Sequence, residues 1–320
     1  MTTDSQTLQL LLPHSGDFVE VAELWRAGVV ESRHRGIAVL TSPSGDVLAA
    51  KGSAKRLIFP RSAVKPLQVV AMQRAGLSAR PELLAIAAAS HYGTVEHVAL
   101  VSELLASAGL TDSALQCPTA WPTSQTARAT ATEPTRLTFN CSGKHAGFLA
   151  SCVAAGWRTD DYLDPASPIQ GLVAQVLEEY SGEPILKSTT DGCGAPLHMM
   201  TVAGLARAFG TLVSNQDAVA SAMLANPWVI GDHGTPDAAF LRHGFVSKLG
   251  AEGVFAVATP DGHGVAVKIA DGSLRAAGLV ALKLLDEAQL LGAQAAAAIA
   301  KDLEVASMGG AEVLGKLRAI

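Results

Sequence analysis

The chain has 320 residues, 49% of them hydrophobic and 17% charged, with a formal net charge of −5. That is enough apolar material for a substantial core, with no basic stripe for nucleic acid and no polybasic patch for an anionic membrane. No apolar run reaches membrane-spanning length, Met1–Gln9 is polar without a basic n-region, and four cysteines are too few for a disulfide scaffold. The expectation is a soluble, cytoplasmic protein with a small uncharged or zwitterionic partner and with neither nucleic acid nor membrane as a partner.

Phe18–Trp25 mixes apolar and charged residues in near alternation, Ile37–Leu40 is apolar, and Val47–Ala50 follows the turn signal Ser42-Pro43-Ser44-Gly45-Asp46. These predict antiparallel strands joined by hairpins. Next comes Arg61-Ser62-Ala63-Val64-Lys65-Pro66, ahead of the apolar stretch Leu67–Ala75. If a helix opens here, the i, i+3 spacing puts Ser62 and Lys65 on one face, a nucleophile with a built-in base. Pro66 is tolerated near a helix start, and N–H groups of a first turn can meet a developing oxyanion. The plainer reading of the same pair is an exposed lysine beside a capping serine.

Helical patterns follow at about 67–76, 81–89 and 95–108, the second running into the polar cluster Ser90-His91-Tyr92-Gly93. Segment 117–136, rich in Thr, Pro and Ala, reads as a long loop and a candidate pocket wall. Helices are predicted at about 143–155 and 167–180, a short strand near 185–189, and helices at about 199–209 and 214–225. A second hairpin is predicted for Gly253–Ala258 and Gly264–Ala270 around Pro260-Asp261-Gly262-His263, and the Ala-rich tail from Ala288 is helical by propensity. Strands at both ends with helices between them predict an α/β fold. Its sheet is mostly antiparallel, built from N- and C-terminal strands and flanked by helices, in one domain over 1–320 with the helical region of about 62–225 inserted.

Three further segments carry chemistry. Lys248-Leu249-Gly250-Ala251-Glu252-Gly253 puts a lysine and two glycines immediately before a predicted strand. A lysine must fall by ~3 units from its ordinary value to act as a base at neutral pH, and Lys65 and Lys248 facing one pocket would each depress the other. A solvated lysine in a glycine-containing turn is the alternative for Lys248. Cys141-Ser142-Gly143-Lys144-His145 and Asp191-Gly192-Cys193-Gly194 offer two thiols and an amine, enough for a zinc site with one open position. The alternative is a pair of packed thiols or an adventitious disulfide. His145 fits a ligand, a substrate contact or a satisfied polar residue equally. Cys152 reads as core, Cys117 has no assigned role, and His233 and His243 read as surface residues. There is no H-E-x-x-H pattern, no G-x-x-x-x-G-K-[ST] run and no well-placed G-x-G-x-x-G.

Taken in order, Phe59-Pro60-Arg61-Ser62-Ala63-Val64-Lys65-Pro66-Leu67-Gln68, Ser90-His91-Tyr92-Gly93, Cys141-Ser142-Gly143-Lys144-His145, Asp191-Gly192-Cys193-Gly194 and Lys248-Leu249-Gly250-Ala251-Glu252-Gly253 resemble the asparaginase II family of the rhizobial type, over about Val19 to Leu285. The resemblance implies a serine β-lactamase/glutaminase-like fold, an L-asparaginase activity releasing L-aspartate and ammonia from L-asparagine, and a homodimer. Carried over motif by motif, Ser62 with Lys65 and Ser90 with Lys248 match the two catalytic pairs. Cys141, Lys144 and Cys193 match a zinc site, one Zn2+ per chain, and Arg61, His145 and Asp191 match the substrate pocket. The family's Lys-Thr-Gly is Lys248-Leu249-Gly250 here, one polar contact fewer. A glutaminase-like serine amidohydrolase, or a non-catalytic asparagine-binding protein, would carry the same residues.

Overall fold

A computed structural model describes residues 9, 11–231 and 234–320; most of the polar N-terminal stretch, and His233, lie outside the described residues. The N-terminal part forms strands β1 (Val19–Arg26), β2 (Val29–Thr41), β3 (Val47–Lys51) and the short β4 (Leu57–Ile58). Helices α1 (Lys65–Arg74), α2 (Pro81–Ala88), α3 (Val95–Ser107), α4 (Gln125–Thr130), α5 (Ser142–Ala154) and α6 (Pro168–Ser181) follow. Strands β5 (Ser188–Thr190), β6 (Pro196–His198) and β7 (Met200–Thr201) lead into α7 (Val202–Ser214), α8 (Ala218–Ala225), α9 (Pro227–Ile230) and α10 (Pro236–Leu241). The C-terminal part contributes β8 (Val246–Gly250), β9 (Val254–Ala258), β10 (Gly264–Ile269), α11 (Ala277–Glu287), α12 (Ala293–Asp302), β11 (Ala306–Gly309) and β12 (Glu312–Ala319).

The two ends of the chain meet in one ladder. Strand β10 runs antiparallel to β2, with Ile37 opposite Lys268 and Thr41 opposite Gly264. The sheet extends through β9 and β8 on one side and through β1, β12 and β11 on the other, with β3 also pairing β2. Every one of these pairings is antiparallel. The fold is the mixed α/β architecture expected, an antiparallel sheet of terminal strands flanked by helices.

Both faces of the sheet are buried where β9, β10 and the second half of β2 lie side by side, and the period of two assigns residues to each. Ile37, Val39, Ala256 and Ala266 pack into the core that holds Leu205, Phe209 and Leu212 of α7. Their neighbours Ala38, Leu40, Val257 and Val265 pack with Val280, Ala281 and Leu284 of α11. Two-sided burial is why Ile37–Leu40 reads as a continuous apolar run instead of an alternation. Among the described residues no helix is long and apolar enough to cross a membrane.

Two local expectations are corrected. The tail is helical only over Ala293–Asp302; Ala306–Gly309 and Glu312–Ala319 form a hairpin whose second strand pairs with β1, Ala22 opposite Ala319. Helix propensity is a weak prior, and the hydrogen-bonding edge of β1 overrides it. Lys248 lies within strand β8, paired with Ala256 of β9, and not in a turn before the strand.

Candidate active site

The backbone around Ser62 is set by its neighbours. Arg61 stands in the left-handed region at φ +53 and opens a 3-10 turn, Arg61–Val64, that runs directly into α1. Few side-chain-bearing residues adopt that conformation, and they concentrate at functional sites. The Ala63 N–H donates to the Pro60 carbonyl and the Lys65 N–H to the Ser62 carbonyl, while Pro66 falls in the first turn of α1, where it displaces no helical donor. Strand β8 abuts this turn: a Cβ on Gly250 would lie 2.5 Å from the Pro60 carbonyl oxygen and 3.1 Å from the Ala63 nitrogen. Only glycine allows the approach.

Lys65 is buried, and its Nζ donates to the Ala89 carbonyl at 2.6 Å and to Ser90 Oγ at 3.0 Å, with a longer contact of 3.5 Å to the Asn140 carbonyl. Burial, with the Lys144 and Lys248 ammoniums adding to it and Cys141 opposing, brings the Lys65 amine down to about 8. Ser90 follows the end of α2. The adjoining segment is stitched to the start of α5 by the His91 N–H donating to the Asn140 carbonyl and by a 2.8 Å bond between His91 Nε2 and Ser142 Oγ. Because Gly93 N–H donates to His91 Nδ1, the network assigns the proton to Nε2, and burial keeps this imidazole neutral.

The two serine–lysine pairs are connected differently from the expectation. Lys65 hydrogen-bonds to Ser90 and not to Ser62. The Lys248 ammonium donates to Asp237 Oδ2 at 3.2 Å and to the Leu249 carbonyl at 3.0 Å, not to Ser90. Asp237 completes the arrangement by accepting the Leu249 N–H at 2.6 Å on its other oxygen. Burial pushes its carboxyl up, against the pull of Lys248 and of the Leu249 N–H. The sequence reading missed Asp237; Thr235-Pro236-Asp237 carries the signature of a helix start, but nothing in it names Lys248 as the partner.

The second cluster also assembles. The first turn of α5 abuts α2 so closely that a Cβ on Gly143 would stand 2.2 Å from the Ile86 carbonyl oxygen, which brings Cys141 and Lys144 beside the Ser90 segment. Lys144 Nζ donates to Cys193 Sγ at 2.9 Å. A hydrogen bond from Cys193 holds the Cys141 thiol well below its usual range, helped by the Lys65 and Lys144 ammoniums; the Cys193 thiol is pushed up by the same bond and by burial. Burial works to lower Lys144, but the two sulfurs outweigh it and the amine is raised. All four cysteines are free thiols. Among the described residues no group of three or more His, Cys, Asp or Glu is placed to hold a metal, so a metal at these two sulfurs would draw its third donor from Lys144. Soft sulfur and nitrogen donors of this kind fit zinc.

Of the expected substrate contacts, Arg61 and Asp191 come together as an ion pair, Nε to Oδ1 at 2.7 Å, which ties the β5–β6 turn carrying Cys193 to the turn carrying Ser62. His145 is fully buried, and its Nδ1 lies 2.7 Å from the Tyr162 hydroxyl, itself bonded to the Gln116 N–H. Burial holds this imidazole neutral, and its Nε2 has no hydrogen-bond partner among the described residues.

Residues 22–319 match the family model described as L-asparaginase II. The class defined in this way is that of the amidohydrolases. The chain belongs to the L-asparaginase II family. A search of curated proteins finds no match. Among solved structures the chain is similar to a β-lactamase from Mycobacterium bovis, at 16% identity and a TM-score of 0.41, covering 79% of this chain and 94% of that one. It is also similar to Mglu in its glutamate form, at 14% identity and a TM-score of 0.45, covering 80% of this chain and 60% of that one.

Proposed function

We propose that the protein is an L-asparaginase of the zinc-containing, rhizobial type, hydrolysing L-asparagine to L-aspartate and ammonia with Ser62 as nucleophile. The observation that carries this reading is the buried Lys65 amine, 3.0 Å from Ser90 Oγ and one 3-10 turn beyond Ser62. A depressed lysine of this kind is a usable base near neutral pH. Lys65, which contacts Ser90 in this structure, would turn toward Ser62 to take its proton as the oxygen attacks the side-chain amide carbon, and Ser90 then carries that proton from Lys65 to the departing ammonia. Backbone N–H groups of the turn, that of Ser62 among them, stabilise the oxyanion. Water then hydrolyses the acyl-enzyme.

Lys248 has a different role from a second base. Held by Asp237, it adds, after burial and Lys144, to what lowers Lys65. Arg61 and Asp191, paired with each other, are a cation and an anion able to exchange partners with the carboxylate and ammonium of a zwitterion. Cys141, Lys144 and Cys193 would hold the zinc, which when bound supplies a positive centre that orients the substrate.

Ammonia release from L-asparagine and L-glutamine, measured for wild type and Ser62→Ala, tests the reading. Wild type turns over asparagine in preference to glutamine, and Ser62→Ala releases no ammonia above background. Full activity in the variant removes Ser62 as nucleophile, and preference for glutamine removes the asparaginase assignment.

A further inference from the structure

Next to the turn that carries Ser62 lies a cavity of about 440 Å³ whose wall includes Ile58, Phe59 and Met199 and the charged residues Arg61, Glu252 and Lys268. Glu252, at φ +62, is left-handed like Arg61, so two residues of one wall hold a backbone conformation that side-chain-bearing residues keep only where their surroundings fix it. The Glu252 carboxylate is accommodated by Gly272, where a Cβ would stand 2.9 Å from Oε2.

The charges on this wall are of opposite sign, and of the three only Arg61 is in an ion pair, with Asp191. Lys268 Nζ donates to two carbonyls, those of Glu252 and of Ile269, which leaves its ammonium with no carboxylate in contact among the described residues. Among the described residues neither Lys268 nor Glu252 has an ion-pair partner within 4.0 Å. Arg61 commits Nε to Asp191, and its terminal nitrogens remain available to a ligand. Lys268 is also within the fields of two carboxylates, Glu252 and Asp271, and of the Arg61 cation, none of them in contact with it. Arg61 and Lys268 are half-buried and Glu252 is exposed, and such charges at the edge of an apolar surface favour a ligand that supplies both counter-charges at once.

We propose that this cavity binds the zwitterionic end of an α-amino acid. Its carboxylate meets Lys268 and Arg61, its ammonium meets Glu252, and Phe59 and Met199 cover its methylene carbons. The proposal rests on the cavity and not on the role of Ser62. The same chemistry has two sources, the amino acid being hydrolysed, whose ammonium would then meet Glu252 in place of Asp191, or a second molecule held beside it.

L-Aspartate, which has no amide to hydrolyse, is the probe, with succinate (no ammonium) and β-alanine (no α-carboxylate) as its two truncations. Binding to the full chain is measured by calorimetry, with ligand-detected NMR competition for the weaker truncations. The expectation is a tenfold or greater loss for aspartate and succinate in Lys268→Met with β-alanine within about threefold of wild type. In Glu252→Gln the loss falls on aspartate and β-alanine and spares succinate. Lys268→Arg, which keeps the charge, restores most of the aspartate affinity and separates a ligand role from a folding defect. One aspartate per chain together with a raised KM for asparagine in Lys268→Met identifies the reacting molecule; two per chain identify a separate site. Aspartate affinity within about twofold of wild type in Lys268→Met and Glu252→Gln, both folded by circular dichroism, overturns the proposal. So does an equal loss for all three probes that Lys268→Arg does not restore.

Discussion

Lys248 Nζ and Asp237 Oδ2 face each other at 3.2 Å with both side chains wholly out of solvent. A charge left behind in such a place has neither water nor a partner, so breaking the pair from one side costs more than the pair itself contributes. Asp237→Ala should therefore lower the unfolding free energy by about 3–5 kcal/mol. The double variant Asp237→Leu/Lys248→Met should regain most of that stability while losing activity. Denaturant midpoints of the single and double variants, compared in one cycle, check this; a midpoint for Asp237→Ala equal to wild type would show that Lys248 has found another partner.

The contact between Lys65 and Ser90 makes a prediction about chemistry without one about stability. Ser90→Ala removes one small hydroxyl, leaves the Ala89 carbonyl on Lys65, and should reduce kcat/KM by about 10²–10⁴-fold with little change in Tm. Lys65→Arg keeps charge and reach but cannot become neutral, and is expected to be inactive. Ammonia release read beside a thermal melt separates the two effects. An active Lys65→Arg variant would show that no neutral base is needed.

What the sequence revealed followed from period and order. Alternation and turn signals located the strands around Phe18–Trp25 and Val47–Ala50, and the apolar run Leu67–Ala75 located α1 to within a few residues. The Cys141-x-x-Lys144 spacing and the glycine-flanked Cys193 were local enough to be seen, and the fold brings them within bonding distance. The connections between segments were not visible. Ser62 and Lys65 are neighbours in sequence, but the helix directs the amine toward residue 90, a contact fixed by how α1 packs on α2. Lys248 reads from sequence as standing just before a strand and paired with Ser90, with a glycine-containing turn as the alternative, whereas Gly250 serves the approach of strand to turn and Asp237 supplies the reason a lysine can be buried there. The hairpin after Leu303 was hidden for a similar cause, since its strands answer to the edge of β1.

Gly250→Ala tests that approach. Its Cβ would fall 2.5 Å from the Pro60 carbonyl oxygen, on backbone that cannot swing aside as a side chain can. The strand or the Ser62 turn must shift, at a cost of about 1–3 kcal/mol typical of overpacking. Displacement of the turn lowers kcat more than it raises KM, because the reacting oxygen is misplaced. Steady-state kinetics and a thermal melt on this one variant suffice, and wild-type kcat would refute the tight fit.

Zinc at Cys141, Lys144 and Cys193 is checked by counting metal. The purified protein is expected to carry about one zinc per chain, and Cys193→Ala close to none, by atomic absorption. Because a ligand that binds only the folded state raises stability, a strong chelator should lower the Tm of wild type and leave that of Cys193→Ala unchanged. Equal metal content in the two proteins would remove this site.

Asp17 gives a prediction in pH. Its carboxylate accepts the His14 N–H at 2.7 Å and pairs with Arg56 Nε at 2.8 Å, fastening the segment that follows Leu12 and Pro13, on the wall of the cavity beside the Ser62 turn, to the loop before β4. The His14 N–H leads, with Ser53 and Arg56 behind it, in lowering the carboxyl from 3.8 to about 2, while burial opposes them. A folded value below the unfolded one means that the ionised form is favoured by folding. The contribution is complete above about pH 4 and vanishes as pH falls through about 2. Asp17→Asn should accordingly have a lower Tm than wild type at pH 6, and the difference should shrink to nothing at pH 2 if both proteins remain folded enough to melt. A gap that stays constant across this range would mean that the carboxylate charge has no part in holding the segment.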